Sequence, residues 1–122
     1  MAIETDIQAG LRIAASKRGD VLWRNNNGAG KLENGSFVRW GICNDSQALN
    51  EMCKSSDLIG IKRVTVTQAM VGKTVGVFYA REVKRSGWMY RGTAREVAQK
   101  RFIDIVNEMG GDAAFATGEG DL

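Results

Sequence analysis

The chain has 122 residues, with 17 lysines and arginines against 14 acidic residues, two cysteines, and neither proline nor histidine. This length suits a single domain over residues 1–122, and 43% hydrophobic and 25% charged residues are typical of a globular protein, not a disordered or fibrous one. The absence of histidine excludes Ser-His-Asp triads, Cys-His pairs, His-ligated zinc and imidazole proton transfer. Any chemistry must therefore use carboxylates, lysine, hydroxyl groups or water.

The two cysteines, Cys43 and Cys53, lie ten positions apart. Two thiols cannot form a four-cysteine zinc site, and this spacing is not that of a CxxC redox motif. The first residues lack the basic start and apolar run of a signal peptide, and no stretch approaches the roughly 18 apolar residues of a membrane span. We therefore expect a soluble protein of the reducing cytoplasm with two free thiols.

Charge is distributed unevenly along the second half of the chain. Residues 81–101 contain seven basic and two acidic residues, whereas residues 102–122 contain five acidic residues and no basic one. Trp88 and Tyr90 lie among the basic residues, a combination suited to a phosphate backbone and an unstacked base. A solvated charged face is the alternative, and charge alone favours it.

The first forty residues predict a helix and two strands. Apolar residues at three- and four-residue intervals predict an amphipathic helix over about 3–18 that ends near Gly19. Residues 21–24 form a short apolar strand. Asparagines and glycines over 25–35 predict a long polar loop, and residues 36–40 are predicted as the return strand.

The middle of the chain predicts further strands. Residues 42–55 are polar and irregular, with a helical turn near their centre. An apolar strand at 57–61 is followed by a second at 63–67, and Gly72-Lys73 has the composition of a hairpin turn. Residues 75–84 form the longest strand candidate, and their apolar content favours a central position in the sheet.

The last third predicts a helix with clear boundaries. Thr93 and Glu96 fit a capping box, and Gly110-Gly111 supplies the stop. Residues 112–117 form a final strand before a frayed end, so the strand-helix-strand step gives one parallel crossover and an α/β fold with a mixed β-sheet flanked by helices. The apolar stripe of the helix consists of Ala94, Val97, Ala98, Phe102, Ile105, Val106 and Met109.

Glu82, Lys84 and Asp57 form the strongest candidate for chemistry. Side chains alternate along a strand, so Glu82 and Lys84 point the same way, and Asp57 can converge with Glu82 if their strands are adjacent. Two carboxylates suit Mg2+, which activates water and neutralises phosphate charge, while Lys84 could hold the attacking water or stabilise the transition state. An exposed ion pair on an edge strand is the alternative, and a Glu-x-Lys triplet alone is a weak signal.

The wider pattern carries more information than the triplet. Asp57-Leu-Ile-Gly-Ile61 is followed by Glu82-Val-Lys-Arg85, a helix with Gln99, the Gly110-Gly111 pair and a strand of small residues. This pattern resembles the VRR-NUC (virus-type replication-repair nuclease) family of the PD-(D/E)xK superfamily. Ser56 stands where that superfamily usually has proline, before the aspartate.

Two features near the start of the chain extend the resemblance. Glu4-Thr-Asp-Ile-Gln8 is similar to the early acidic helix of the family, and Arg24-Asn-Asn-Asn-Gly28 is similar to a loop of stand-alone phage and prophage members. Only a segment around 43–55 lies outside the pattern, as an apparent insertion.

The resemblance implies a site for Mg2+ or Mn2+. Asp57 and Glu82 would be metal ligands, and the Val83 backbone carbonyl would be a third. Glu4 would lie at the edge of the metal site and bind through water or a second ion, with Asp6 as the alternative to Glu4. Lys84 would be the catalytic lysine, and Gln99 would orient the water or a carboxylate.

The resemblance also implies a restriction-endonuclease-like core and an activity. Such a protein would be a metal-dependent endonuclease that hydrolyses phosphodiester bonds in branched DNA such as Holliday junctions, as a homodimer in the cytoplasm of a bacterial or phage-infected cell. The alternatives are a non-catalytic DNA-binding or assembly protein on the same fold and a nickase or exonuclease of the superfamily. Phosphate contacts are expected from Arg24, Lys31, Arg85, Arg91 and Arg95.

The missing histidine gives a first testable prediction. Cleavage should become faster as pH rises through the neutral range, because no imidazole base is present to titrate near pH ~6.5. Initial cleavage rates measured across that range test this expectation. A bell-shaped profile with a limb near pH ~6.5 would contradict it.

Overall fold

The computed structural model describes residues 3–122, which divide into two compact units, one ending at Gly60 and the other covering Ile61–Leu122. Over these residues the chain is mixed α/β, with three α-helices and three two-stranded sheets. None of the described helices is long and apolar enough to cross a membrane. The interpretation of the whole chain as one domain stays a prediction.

The first unit begins with the predicted helix and strand. Helix α1 spans Glu4–Lys17 and strand β1 spans Val21–Arg24, which confirms both predictions. Gly19 has a φ of 81°, a left-handed conformation that ends the helix and turns the chain into β1. Arg12 Nε donates to the Leu22 carbonyl at 3.2 Å, so the helix and the strand are also joined by a side chain.

The segment predicted as a long polar loop contains a strand, and that part of the prediction is wrong. Strand β2, Gly28–Lys31, pairs antiparallel with β3, Phe37–Trp40, so the predicted return strand pairs with β2. Glycine has a low strand propensity, which hides β2 in the sequence. Here the glycine is required, because a Cβ on Gly28 would overlap the indole ring of its cross-strand partner Trp40.

Strand β1 pairs with the strand that follows the polar segment. The helical turn predicted in this polar segment is confirmed as α2, Gln47–Met52. The strand that follows it is β4, Leu58–Ile61, and it pairs with β1. Asn25 N donates to the Asp57 carbonyl at 2.9 Å at one end of the pair. Gly60 packs so closely on β1 that a Cβ would overlap the Val21 carbonyl oxygen, which explains the glycine in this apolar strand.

The second unit contains the predicted parallel crossover. Strand β5, Tyr79–Val83, runs parallel to β6, Asp112–Ala116, and α3, Ala94–Glu108, connects them. The capping box is confirmed, because Thr93 Oγ1 accepts from Glu96 N and the Glu96 carboxylate accepts from Thr93 N. A crossover of this kind puts the start of α3 above the carboxyl end of β5.

Three details of the second unit differ from the predictions. Residues 63–67 form no strand, and β5 is shorter than 75–84 and pairs with β6 alone among the described strands. The valines of these segments alternate as in strands but are more than half exposed, and alternation without a ladder partner and burial does not make a sheet. The predicted frayed end is a 3-10 turn, in which the Asp121 carboxylate accepts from Thr117 N at 2.8 Å.

The apolar core lies in the second unit. The buried apolar residues of the described chain are Ile61, Ile103, Val106, Ala113 and Ala116. The predicted helix stripe is therefore partly wrong, because Phe102 and Ile105 are 41% and 43% exposed while Ile103 is buried. The inward face of α3 begins with the polar residues Glu96 and Gln99 and continues with Ile103. The hydrophobicity of the sequence alone therefore predicts the wrong buried face for this helix.

Val106 provides a test of this core. Its side chain is fully buried, so Val106→Ala should lower the free energy of unfolding by about 2 kcal/mol through lost burial and the cavity left behind. Val66→Ala is the matched control, because Val66 is 74% exposed, and it should change stability little. Urea unfolding of both variants measures the difference, and equal effects would place the core elsewhere.

Candidate functional site

The predicted Glu-x-Lys pair lies at the carboxyl end of β5. Strand β5 ends at Val83, and the Lys84 amide continues the parallel pairing by donating to the Ala116 carbonyl at 2.8 Å. Extended backbone on both sides of Val83 puts the Glu82 and Lys84 side chains on the same face of the sheet, as predicted. Both side chains contact the same residue of α3.

That residue is Gln99, whose amide connects the carboxylate and the amine. Lys84 Nζ donates to Gln99 Oε1 at 2.8 Å, and Gln99 Nε2 donates to Glu82 Oε1 at 2.8 Å. Lys84 Nζ and Glu82 Oε1 are 4.0 Å apart. Because an amide has one accepting and one donating end, Gln99 is held in one orientation and fixes both neighbours.

An aromatic wall borders Lys84. Its Nζ lies 5.5 Å from the ring centroid of Trp88 and 5.7 Å from that of Phe115, whose own ring centroids are 4.7 Å apart. The lysine side chain is only 16% exposed, whereas that of Glu82 is 40% exposed. The ring faces attract the ammonium, and packing on Phe115 gives Trp88 a structural position beside the site.

Glu96 supports this wall in addition to the capping role predicted for it. Its side chain is 7% exposed and accepts from Trp88 Nε1 at 2.9 Å and from the amides of Arg91 and Thr93 at 3.1 Å each. These donors, the Thr93 amide foremost, lower the pKa of the Glu96 carboxyl below its usual range. The sequence signal for the contact between Trp88 and Glu96 is a tryptophan eight positions before the glutamate of the capping box.

The Glu96 contacts predict a pH-dependent stability. A lowered folded-state pKa stabilises the fold above the unfolded value of about 4.3, and this contribution is lost as pH falls through the folded value. Glu96→Gln should therefore be less stable than wild type at neutral pH, and the difference should shrink in acid. Urea midpoints measured from neutral to acidic pH test this, with exposed Glu108→Gln as control. A difference that persists unchanged in acid would contradict it.

The remaining acidic candidates belong to the first unit. Asp57 immediately precedes β4, and its side chain is exposed, while its carbonyl accepts from Asn25 N. Glu4 is the first residue of α1, and both Glu4 and Asp6 are exposed. The structure thus brings Glu82, Lys84 and Gln99 together within the second unit and places the other acidic candidates in the first.

The oxygen atoms of the second unit have the right chemistry for a hard divalent cation. A half-exposed Glu82 carboxylate and the neighbouring Val83 carbonyl suit Mg2+ or Mn2+, which bind through one or two carboxylates and keep several waters. Over residues 3–122, neither unit gathers three or more acidic or cysteine side chains.

The predicted phosphate contacts are all exposed. Arg24 and Lys31 end strands β1 and β2, and Arg85, Arg91 and Arg95 follow β5 or begin α3. Arg81 has a structural role instead, because it forms an ion pair with Asp112 at 3.0 Å and donates to the Asp121 carbonyl.

Comparisons of this chain with protein-family models, with curated proteins and with solved structures found no significant match.

Proposed function

We propose that this protein is a metal-dependent, structure-specific DNA endonuclease with a restriction-endonuclease-like core. The observation that carries the proposal is the Glu82–Gln99–Lys84 contact at the carboxyl end of β5. A resemblance to the VRR-NUC family assigns chemistry to these three residues, and the contact distances are consistent with that assignment. The parallel β5–α3–β6 crossover supports the proposed core.

In this proposal Glu82 and the Val83 carbonyl hold the cation in the second unit, and Asp57 and Glu4 stay the further metal ligands that the resemblance implies. A bound Mg2+ or Mn2+ supplies Lewis-acid stabilisation of a phosphate oxygen and an activated water. Glu82 is suited to such a role because its carboxylate is fixed by Gln99 and remains 40% exposed.

Lys84 supplies positive charge to the phosphate. Its ammonium is held by Gln99 and bordered by the rings of Trp88 and Phe115, so it meets a ligand with little loss of side-chain freedom. A fixed ammonium stabilises the negative charge that develops on phosphate oxygens during hydrolysis. Gln99 acts as the positioning residue, because its amide binds Lys84 Nζ and Glu82 Oε1 and holds these two atoms 4.0 Å apart.

The proposed substrate is branched DNA, with Holliday junctions as the first candidate, and the proposed active form is a homodimer that cuts two strands. The exposed basic residues Arg24, Lys31, Arg85, Arg91 and Arg95 would contact phosphates, which position a duplex without reading its sequence. A nickase or exonuclease would use the same site on a different DNA structure.

A non-catalytic DNA-binding protein is the second candidate. It is favoured by one observation, that Lys84 Nζ lies 4.0 Å from Glu82 Oε1, so an ammonium already stands beside this carboxylate. In that case Lys84 would serve to neutralise Glu82 and to contact a phosphate, with no cation bound.

Cleavage assays distinguish these candidates. Junction, flap and linear duplex DNAs are incubated with Mg2+ or Mn2+, and Glu82→Gln, Lys84→Met and Asp57→Ala should each cut at least about 100-fold more slowly than wild type. Junction binding should be largely retained, because Arg24, Lys31, Arg85, Arg91 and Arg95 supply most of the proposed phosphate contacts. Glu108→Gln and Lys100→Met change the same residue types on exposed parts of α3 and should cut like wild type.

Two outcomes would contradict the endonuclease proposal. If Asp57→Ala or Glu82→Gln cuts as fast as wild type, the site is wrong. If wild type binds junctions and cuts none of the DNAs with either metal, the binding protein is the correct interpretation. Light scattering of the free protein measures the proposed dimer.

A further inference from the structure

The two cysteine sulfurs lie next to each other in the first unit. Cys53 Sγ donates to Cys43 Sγ at 3.6 Å, although the residues are ten positions apart. Helix α2 lies between them in the chain, and Cys53 caps its end by donating its amide to the Leu49 carbonyl. Cys53 is exposed and Cys43 is partly buried, so a reagent can reach this pair.

The surrounding hydrogen bonds hold the two ends of this segment together. The Ile42 carbonyl accepts from Ser55 Oγ at 3.0 Å and from Asn27 Nδ2 at 2.9 Å. Asn44, which is 4% exposed, donates to the Gly28 and Trp40 carbonyls at 2.8 Å each. The chain on both sides of the sulfurs is therefore fixed before any covalent bond forms.

The backbone of Cys43 adds an independent observation. Its φ of 59° is the one positive value found for a residue other than glycine between residues 3 and 122. Such a conformation is uncommon for a residue with a side chain and persists only where the surrounding contacts impose it. Those contacts hold the Cys43 sulfur beside Cys53.

We propose that Cys43 and Cys53 form a reversible intramolecular disulfide, which makes residues 43–53 a redox-controlled clamp. Disulfide formation requires the sulfurs to move from 3.6 Å to about 2.05 Å, a change that rotation of the side chains can supply. The clamp does not depend on the proposed nuclease activity.

The oxidant in this proposal is a small disulfide such as oxidised glutathione. The Cys53 thiolate attacks the reagent disulfide and releases one reagent thiol, which leaves a mixed disulfide on Cys53. Cys43 then loses its proton, its sulfur attacks Cys53 Sγ, and the second reagent thiol leaves. Two protein thiols and one reagent disulfide thus give one protein disulfide and two reagent thiols, and a dithiol reverses the reaction.

The environments of the two thiols set the order of attack. The hydrogen bond with Cys53, then burial and the nearby Asp45 charge, raise the pKa of the Cys43 thiol. Cys43 therefore forms a thiolate less readily than an ordinary cysteine, whereas Cys53 is exposed to the reagent. Cys53 is therefore the residue that attacks the reagent first, and Cys43 resolves the mixed disulfide.

The clamp lies just before the chain that leads into β4. Asn25 Nδ2 donates to Ser55 Oγ at 2.9 Å and to the Ser56 carbonyl at 2.8 Å, directly after the clamp and before Asp57. A closed ring of this size restricts the unfolded chain, so the oxidised protein should melt about 5–10 °C higher than the reduced protein.

Mass spectrometry of the full chain tests the proposal. Tryptic cleavage after Arg39 and Lys54 releases one peptide that contains both cysteines. After oxidised glutathione and iodoacetamide, this peptide should carry no alkyl group and weigh about 2 Da less than the unmodified dithiol peptide, and dithiothreitol should restore two alkylated thiols. Oxidised glutathione is preferred to peroxide because exposed Met52 lies in the same peptide and would be oxidised.

Matched variants complete the experiment. Cys43→Ser should stop at the mixed disulfide on Cys53, and Cys53→Ser should react more slowly than Cys43→Ser because its remaining thiol is partly buried. Wild type that stops at a mixed disulfide, or that forms disulfide-linked dimers in place of the intramolecular bond, would overturn the proposal. Equal melting temperatures of the oxidised and reduced forms would overturn the clamp.

Discussion

The parallel pairing of β5 and β6 is the constraint on which the candidate site depends. Parallel strands require a crossover, and α3 provides it, so the helix that connects the strands also covers the carboxyl end of β5. This geometry puts Gln99 within hydrogen-bonding distance of both Glu82 and Lys84. A slip of one residue in the pairing would turn both side chains to the other face and remove the arrangement.

Short-range sequence patterns predict where α3 begins and ends, and they predict that the Glu82 and Lys84 side chains lie on the same face of β5. Thr93 and Glu96 cap the helix with their own side chains, so its start depends only on neighbouring residues. The residues directly before and after Val83 share a face because side chains alternate along any strand. The core face of α3 could not be predicted, because tertiary hydrogen bonds allow Glu96 and Gln99 to face inward ahead of Ile103. A hydrophobicity pattern places such polar residues in solvent, so the predicted buried face of α3 is shifted toward Phe102 and Ile105.

The two units are stabilised by different interactions, which explains where strand prediction failed. The buried apolar residues lie in the second unit, whereas the buried residue of the described first unit is the polar Asn44. Side-chain amides such as Asn25 and Asn27 connect the segments of the first unit, and they allow the glycine-rich β2 to form without apolar burial. The alternating valines at 63–67 pair with no strand of the described residues and stay irregular.

Contacts within the protein reduce the number of basic residues of 81–101 that are available to a bound polyanion. Arg81 pairs with Asp112, Lys84 is held by Gln99, and Lys100 pairs with Asp104, so three of the seven basic residues of 81–101 are engaged within the protein. The other four are exposed arginines: Arg85, Arg91, Arg95 and Arg101. A polyanion bound to this segment would therefore release counterions from about four phosphates, or about five with the phosphate beside Lys84, and its affinity would fall with salt less steeply than a count of seven charges implies.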